Sequence, residues 1–503
     1  MAKKTARSVR AKTSGRRTKK SKAPKKKTRF ESDSMGTMAL PADAIYGAST
    51  ARAVQNFPIA QRALPHEVIR AFLFLKSAAA ETNMDLGQLP KTRGRLIVKA
   101  CKEIIDEFDK QGAAGTLEQG WMQQFPVDVF QTGSGTSTNM NVNEVISNKI
   151  SLDRGKEIGS KDPVHPNDHV NMGQSSNDTF PTAMQVAGAV AINERLVPAL
   201  KALAKSMRAK SKAWDNIVKL GRTHLQDATP IRVGQEFGGF AAQLEYSVLR
   251  AERAMVRMAE NLPIGGTAVG TGINTHTRFG KGVASRLSKM MRVRFAEAEN
   301  HFEAQSTRDC IVEASGQLKV IAVALSKIAG DIRLLGSGPR AGLRELLLPA
   351  TQPGSSIMPG KVNPVICESV VQVSCQVIGN DVAITTGGLG GLGSILQLNV
   401  AMPMIAHNLL ESINLLANVS DVFRERCIDE LELNREVAAG LVERSLMLST
   451  SLVPEIGYDE AARVAKEAHA SDSSIRDHCL TLGLIEEEIL NDLLNAHAMT
   501  QPH

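Results

Sequence analysis

The residues best placed to do chemistry lie in Gly354–Pro364, read as GSSIMPGKVNP, where two hydroxyls, a lysine and an amide are set among two glycines and two prolines. Glycine lets a backbone approach a ligand closely, and proline limits how far a loop can wander. Lys361 and Asn363 can grip an anion by charge and hydrogen bond. The plain alternative is a polar surface connection, which is what most Gly/Pro/Ser runs are.

Three more polar stretches share this character. Thr132–Asn139 is nearly all Gly, Ser, Thr and Asn, which suits a loop presenting hydroxyls at a helix start, although an extended N-cap region explains it as well. Pro163–Pro181 holds His165, Asn167, Asp168, Ser175, Ser176 and Asn177 ahead of a helix-like run that begins near Thr182. His165 and His169 are four apart, but Pro166 disfavours a helix there, so a metal site of the HExxH type is not expected. Polar residues ahead of a helix more often meet anions, because the free N–H groups and the dipole favour negative charge. In Gly221–Pro230, GRTHLQDATP, Arg222, Thr223, His224 and Asp227 crowd a short connection in which the histidine has polar neighbours.

Hydroxyls, amides, one histidine and one lysine, converging on one cavity, would suit a small dianionic substrate. With a base near a C–H and donors where charge develops, the chemistry is proton abstraction or elimination. This set calls for no cofactor and no metal. Residue types alone do not establish that the segments meet.

The elements that must position these segments read as helices, since aromatic residues are only 4% of the chain and β-branched runs are few. Residues 66–109 read as two helices parted at Gly87–Pro90, and 182–214, 234–261, 365–385 and 402–424 as further helices. The clearest helix is 306–336. Ile311, Ser315, Leu318, Ala322 and Leu325 alternate spacings of four and three, and Ile321, Ile328 and Leu335 add a second stripe, so the helix belongs inside a bundle. Phe30–Pro58 reads as irregular, 337–364 as a long Gly/Pro-rich connection, and the part from about Leu431 as a smaller charged helical unit. GLGGLG at 388–393 matches a dinucleotide fingerprint, but no strand of a βαβ unit precedes it.

The net charge of +8 is concentrated: residues 1–30 carry fourteen Lys/Arg and no Asp or Glu, leaving a mildly acidic body. Such a block is expected to be a disordered basic tail, able to hold nucleic acid or anionic lipid or simply to solubilise. Six scattered cysteines without a CxxC pair suit free thiols in a reducing compartment, and no apolar run is long enough to span a bilayer. A soluble, cytoplasmic protein is expected.

GSSIMPGKVNP resembles the signature of the fumarase/aspartase superfamily. HPNDHVN, QSSNDTFPTAM, GRTHLQDATP, GGTAVGTGINTH, CESV with GNDVAI, and ERSLMLST resemble class II fumarase, the metal-independent type, in the same order from about Phe30 to the C-terminus. The resemblance implies a mainly α fold of three domains, taken here as 31–174, 175–430 and 431–503, whose central long-helix bundle forms the core of a homotetramer. It also implies active sites where three subunits meet.

Carried over by resemblance, Ser355 is the base that removes the C3 proton of L-malate and generates an aci-carboxylate. Lys361 and Asn363 hold the carboxylate that takes up the charge, and His224 with Glu368 handles the water. Ser134, Thr136, Asn139, Ser175, Ser176, Asn177 and Thr223 position the substrate, and His165, Asn167 and Asp168 match a secondary dicarboxylate site. Ser137, Thr138 and Val365 are instead more similar to aspartate ammonia-lyase, which stands as the alternative activity. A scaffold with a nucleic-acid-binding tail is the non-enzymatic one.

Overall fold

The computed structural model describes residues 28–502. The basic tail therefore lies outside the described residues except for its last three, which are ordered as the start of a strand. The stretch expected to be irregular opens with a hairpin of β1 (Thr28–Asp33) and β2 (Gly36–Pro41), followed by α1 (Ala48–Asn56). Alternation along β1 is real but half exposed, and the helix start is capped from a distance. Glu144 accepts hydrogen bonds from the backbone N–H groups of Gly47, Ser49 and Thr50 and from the Thr50 hydroxyl, satisfying the free donors of the first turn.

Next come α2 (His66–Asp85), α3 (Lys91–Ala113) and α4 (Thr136–Asp153), with the break between α2 and α3 at the expected Gly–Pro pair. The following helix begins six residues earlier than its apolar pattern suggests. α5 (Ser176–Ala191) starts with a capping box in which the Ser175 hydroxyl and the Asp178 carboxylate reciprocally take backbone N–H groups, and Pro181 is accommodated inside it. A π-type turn at Ile192–Leu196 joins it to α6 (Val197–Ala213).

The connection carrying His224 is in fact a β-hairpin, β3 (Val218–Thr223) and β4 (Gln226–Arg232), leading into α7 (Val233–Ala259). Then follow α8 (Phe279–Met291), α9 (His301–Ser306), α10 (Asp309–Leu335), β5 (Leu346–Leu347) and α11 (Val365–Gly388). The glycines after α11 enter a small hairpin of β6 (Ser394–Ile395) and β7 (Leu398–Asn399), not a βαβ turn. α12 (Met402–Phe423) completes the long helices, and β8 (Glu432–Leu433) pairs with β5. The C-terminal part carries α13 (Arg435–Glu443), α14 (Val453–Ile456), α15 (Tyr458–Ala470), α16 (Ile475–Leu482) and α17 (Glu487–Leu493).

α5, α6, α7, α10, α11 and α12 pack side by side as a bundle. Both apolar stripes of α10 are buried, from Ile311 to Leu335, and truncating one of its isoleucines to alanine would cost about 2–5 kcal/mol. Asp381 of α11 is held between Ser315 (2.7 Å) and Lys319 (2.6 Å) of α10, so this buried carboxylate is paired. A core runs continuously from Leu64 to Leu431, and a second gathers residues 442–494 with Leu220 of β3. Apolar side chains also stay exposed along the bundle, among them Tyr246 of α7, Val320 and Val323 of α10, and Ile378 and Val382 of α11. Among the described residues no helix is long and apolar enough to cross a membrane.

Candidate active site

Two helix N-termini meet at a cavity of about 470 Å³, lined by Thr136 and Asn139 of α4, Asn171, Ser175 and Ser176 before and at α5, and the turn around Thr267–Asn274. No charged side chain lines it. α4 can begin at this point because Gly135 takes a left-handed conformation (φ 72°), and a Cβ there would sit 1.9 Å from the Phe180 ring. A chain of hydroxyls joins the two segments: Ser134 Oγ to Thr136 Oγ1 at 2.8 Å and Thr136 Oγ1 to Ser176 Oγ at 2.7 Å. The turn is tied in from below, since Asp178 accepts from the N–H groups of Ser175 (2.9 Å), Gly265 (3.1 Å) and Thr267 (2.9 Å). Asn177 donates to the Ala268 carbonyl at 2.8 Å. The free N–H groups and dipoles of α4 and α5 make this cavity a place for negative charge.

Beneath it lies a residue that motif reading overlooks. Lys76 of α2 is fully buried, and its ammonium donates to Asn139 Oδ1 (2.7 Å), Asn171 Oδ1 (2.9 Å) and Gln174 Oε1 (2.9 Å). Burial pushes its pKa down to about 7, with nearby Asp178 acting in the opposite direction. Burial likewise pushes Asp178 up to about 6, although three backbone N–H groups and Lys76 favour its charged form. The one available signal is compositional: between Arg70 and Glu81, Lys76 is the only charged residue in a stretch otherwise apolar but for Ser77.

The remaining candidates stand elsewhere in the chain. Thr223 and His224 occupy the exposed tip of the β3–β4 hairpin, where His224 (φ 57°) and Leu225 (φ 63°) are both left-handed. The hairpin is anchored at its base by a buried ion cluster: Glu345 takes Arg222 at 3.0 Å and Lys219 at 3.3 Å, and Lys219 also reaches Glu236 at 2.8 Å. In the Gly354–Pro364 loop, Ser355 Oγ accepts from the N–H groups of Ile357 (3.2 Å) and Met358 (3.0 Å). Gly354 N–H donates to the Lys361 carbonyl at 2.8 Å, and Asn363 Nδ2 donates to the Gly354 carbonyl at 2.7 Å, so part of the Asn363 amide holds the loop closed. Lys361 is exposed, and Glu368 lies half-buried in the first turn of α11.

Within the chain, then, Ser134, Thr136, Asn139, Ser175, Ser176 and Asn177 come together. Among the described residues no hydrogen bond or ion pair joins them to His224, Ser355, Lys361, Asn363 or Glu368, or joins His224 to Glu368.

His165 and Asn167 border a second cavity of about 230 Å³ that adjoins the first, Met140 and Asn167 lining both, with Glu31, Asp33, Glu144 and Lys161 around it. Contrary to expectation, Pro166–Val170 does form a helical turn, because proline is tolerated at the first helical position, where its missing N–H is not needed. It is a single turn. His165 Nδ1 caps it by accepting from the N–H groups of Asn167 and Asp168, both at 3.2 Å, and Asp168 points into solvent.

The family model described as "Lyase" matches residues 36–379, and that described as "Fumarase C C-terminus" matches 448–501. The chain is 50% identical to a class II fumarate hydratase of Corynebacterium glutamicum, over 92% of this chain and 93% of that one. It is 48% identical to a mitochondrial fumarate hydratase of Danio rerio, over 94% and 90%. Among solved structures, the class II fumarase of Schistosoma mansoni superposes with a TM-score of 0.89 at 37% identity, covering 95% of this chain and all of that one. With the order of its segments, its helical bundle and these matches along nearly its whole length, the chain belongs to the class II fumarase family of the fumarase/aspartase superfamily.

Proposed function

We propose that the chain catalyses the reversible hydration of fumarate to L-malate. The observation that carries the chemistry is Ser355 Oγ, which receives two backbone N–H donors at 3.2 and 3.0 Å. A serine is a poor base at its ordinary pKa, and donors fixed at its oxygen are what an alkoxide requires. In this reading Ser355 takes the C3 proton of malate, and the electron pair moves into the adjacent carboxylate to give an aci-carboxylate dianion. Lys361 and Asn363 stabilise that charge. His224, paired with Glu368, protonates the departing hydroxyl, and the C2–O bond breaks to release water and fumarate. Ser134, Thr136, Asn139, Ser175, Ser176, Asn177 and Thr223 hold the two carboxylates, while His165, Asn167 and Asp168 offer a secondary dicarboxylate site.

One chain holds these groups apart, and the reading therefore requires a homotetramer in which three copies complete each site. Unpartnered apolar side chains along α7, α10 and α11 support such an assembly. The 31–174, 175–430 and 431–503 division is kept as the domain scheme, and the cytoplasm as the compartment, with six free thiols among the described residues in keeping with reducing conditions.

The test follows fumarate's ultraviolet absorbance with purified protein. Absorbance that rises with L-malate is the expected result. A rise with L-aspartate alone would assign the chain to ammonia elimination instead.

A further inference from the structure

An ammonium group has three N–H donors and no acceptor. Lys76 spends all three on amide oxygens from two segments, Asn139 of α4 and Asn171 and Gln174 of the turn before α5, each of which lines the 470 Å³ cavity. An amide is symmetric in shape but not in polarity, so either end can face a ligand unless a neighbour decides. Here three oxygens turn toward the neighbour at 2.7, 2.9 and 2.9 Å, the arrangement that suits its ammonium form.

The consequences propagate through the layer. Asn171 Oδ1 also receives Asn139 Nδ2 at 3.1 Å and Asn143 Nδ2 at 3.3 Å, while Asn171 Nδ2 turns to the Gln174 carbonyl at 3.1 Å. With one of its N–H bonds directed at Asn171, Asn139 keeps the second for the cavity. Its oxygen, which would repel a carboxylate, is pinned between Lys76 and the Thr179 hydroxyl at 3.2 Å.

We infer that Lys76 is a positioning residue which sets the hydrogen-bond polarity of the cavity wall at Asn139 and Asn171, holding their oxygens inward and placing a buried positive charge behind them, so that the cavity takes a dicarboxylate. The Gln174 amide nitrogen instead donates to the Val170 and Met172 carbonyls, and the Asn143 amide donates inward to Asn171. The inference rests on the dicarboxylate reading of the cavity. Lys76 itself does not line it, and its action is through Asn139 and Asn171.

The experiment compares wild type with Lys76→Met, an apolar side chain of similar length. It measures kcat and KM for L-malate, and the affinity of succinate, an unreactive dicarboxylate, from its shift of the thermal midpoint. A folded variant with KM and the succinate dissociation constant both raised at least tenfold, and kcat changed much less, is expected. An unchanged KM and succinate affinity overturns the role, as does a loss confined to kcat. If Lys76→Met does not fold, Asn171→Asp takes its place. It keeps the acceptor for Lys76 but neutralises the ammonium and removes one amide, and the same tenfold loss is expected, with wild-type affinity overturning the inference. Succinate binding reads Lys76 without turnover, so a wild type inactive on malate sinks the assigned reaction and leaves this test intact.

Discussion

Replacing His224 and Leu225 together by Asn and Gly should make the hairpin more stable and the enzyme far less active. Thr223 pairs with Gln226 across a two-residue turn in which both central residues have positive φ, 57° and 63°. That is the backbone of a type I′ turn, which Asn-Gly fits best. Holding a histidine and a leucine left-handed costs about 1–2 kcal/mol at each position. Glycine gives back roughly 0.5–1 kcal/mol through the entropy of the unfolded chain. The net expectation is a gain of about 1–3 kcal/mol, or roughly 5- to 150-fold in the local opening constant. Amide hydrogen exchange of peptides spanning 218–232 measures it directly. Turnover of malate should meanwhile fall by about 10²–10⁴, the usual contribution of a general acid or base. Protection equal to or below wild type would refute the strain argument, because among the described residues the His224 and Leu225 side chains make no hydrogen bond or ion pair that the replacement would lose. Activity near wild type would remove His224 from the mechanism.

Ser355→Ala should lower kcat by at least about 100-fold while size-exclusion chromatography still shows a tetramer, since the exposed loop loses only two hydrogen bonds to Ser355 Oγ; near-normal turnover would deprive Ser355 of its role. Asp178→Asn should expose a pH dependence of stability. Burial raises the native pKa of Asp178 from 3.8 to about 6, so in that window the native state holds a proton that the unfolded state has lost. Stability contributed by Asp178 therefore falls as pH rises, by up to about 1.4 kcal/mol per pH unit, and levels off above the native pKa. The difference in unfolding free energy between wild type and Asp178→Asn, measured by denaturant at several pH values across that window, should show this slope. A flat or opposite slope would count against it.

Helices and turns differ in how much of their physics is local. The two stripes of α10 were legible because a 3.6-residue period is imposed along the whole element, and all the named positions are buried. The break at Gly87–Pro90 was legible for the same reason in reverse. The β3–β4 hairpin was not, because its turn is closed by His-Leu where local chemistry favours Asn-Gly, and contacts distant in sequence hold it there: Glu345 on Lys219 and Arg222, and Leu220 in the second core. The start of α5 lies six residues before Thr182, with Pro181 inside the helix rather than at its edge. The Ser175–Asp178 capping box outweighs the proline, and Asp178 is itself fixed by Gly265 and Thr267, some ninety residues away.

The candidate site divides along similar lines. Polar segments announce donors by composition, so Ser134, Thr136, Asn139 and Ser175–Asn177 could be nominated from residue types, and their hydroxyls do form one chain. Which way an amide faces is not a property of its type. It depends on a lysine sixty-three residues before Asn139, on the inner face of a helix that reads as plain core. A buried cation that touches only amide oxygens leaves no motif, because its partners are neutral and its spacing from them is set by packing. The same logic explains why exposed His224 and half-buried Ser355 look idle in one chain: each is held by its own backbone, in a turn and in a two-donor cradle, before any partner arrives. Rigid placement in advance is what lets groups from different copies close on one substrate without first ordering themselves at the moment of binding.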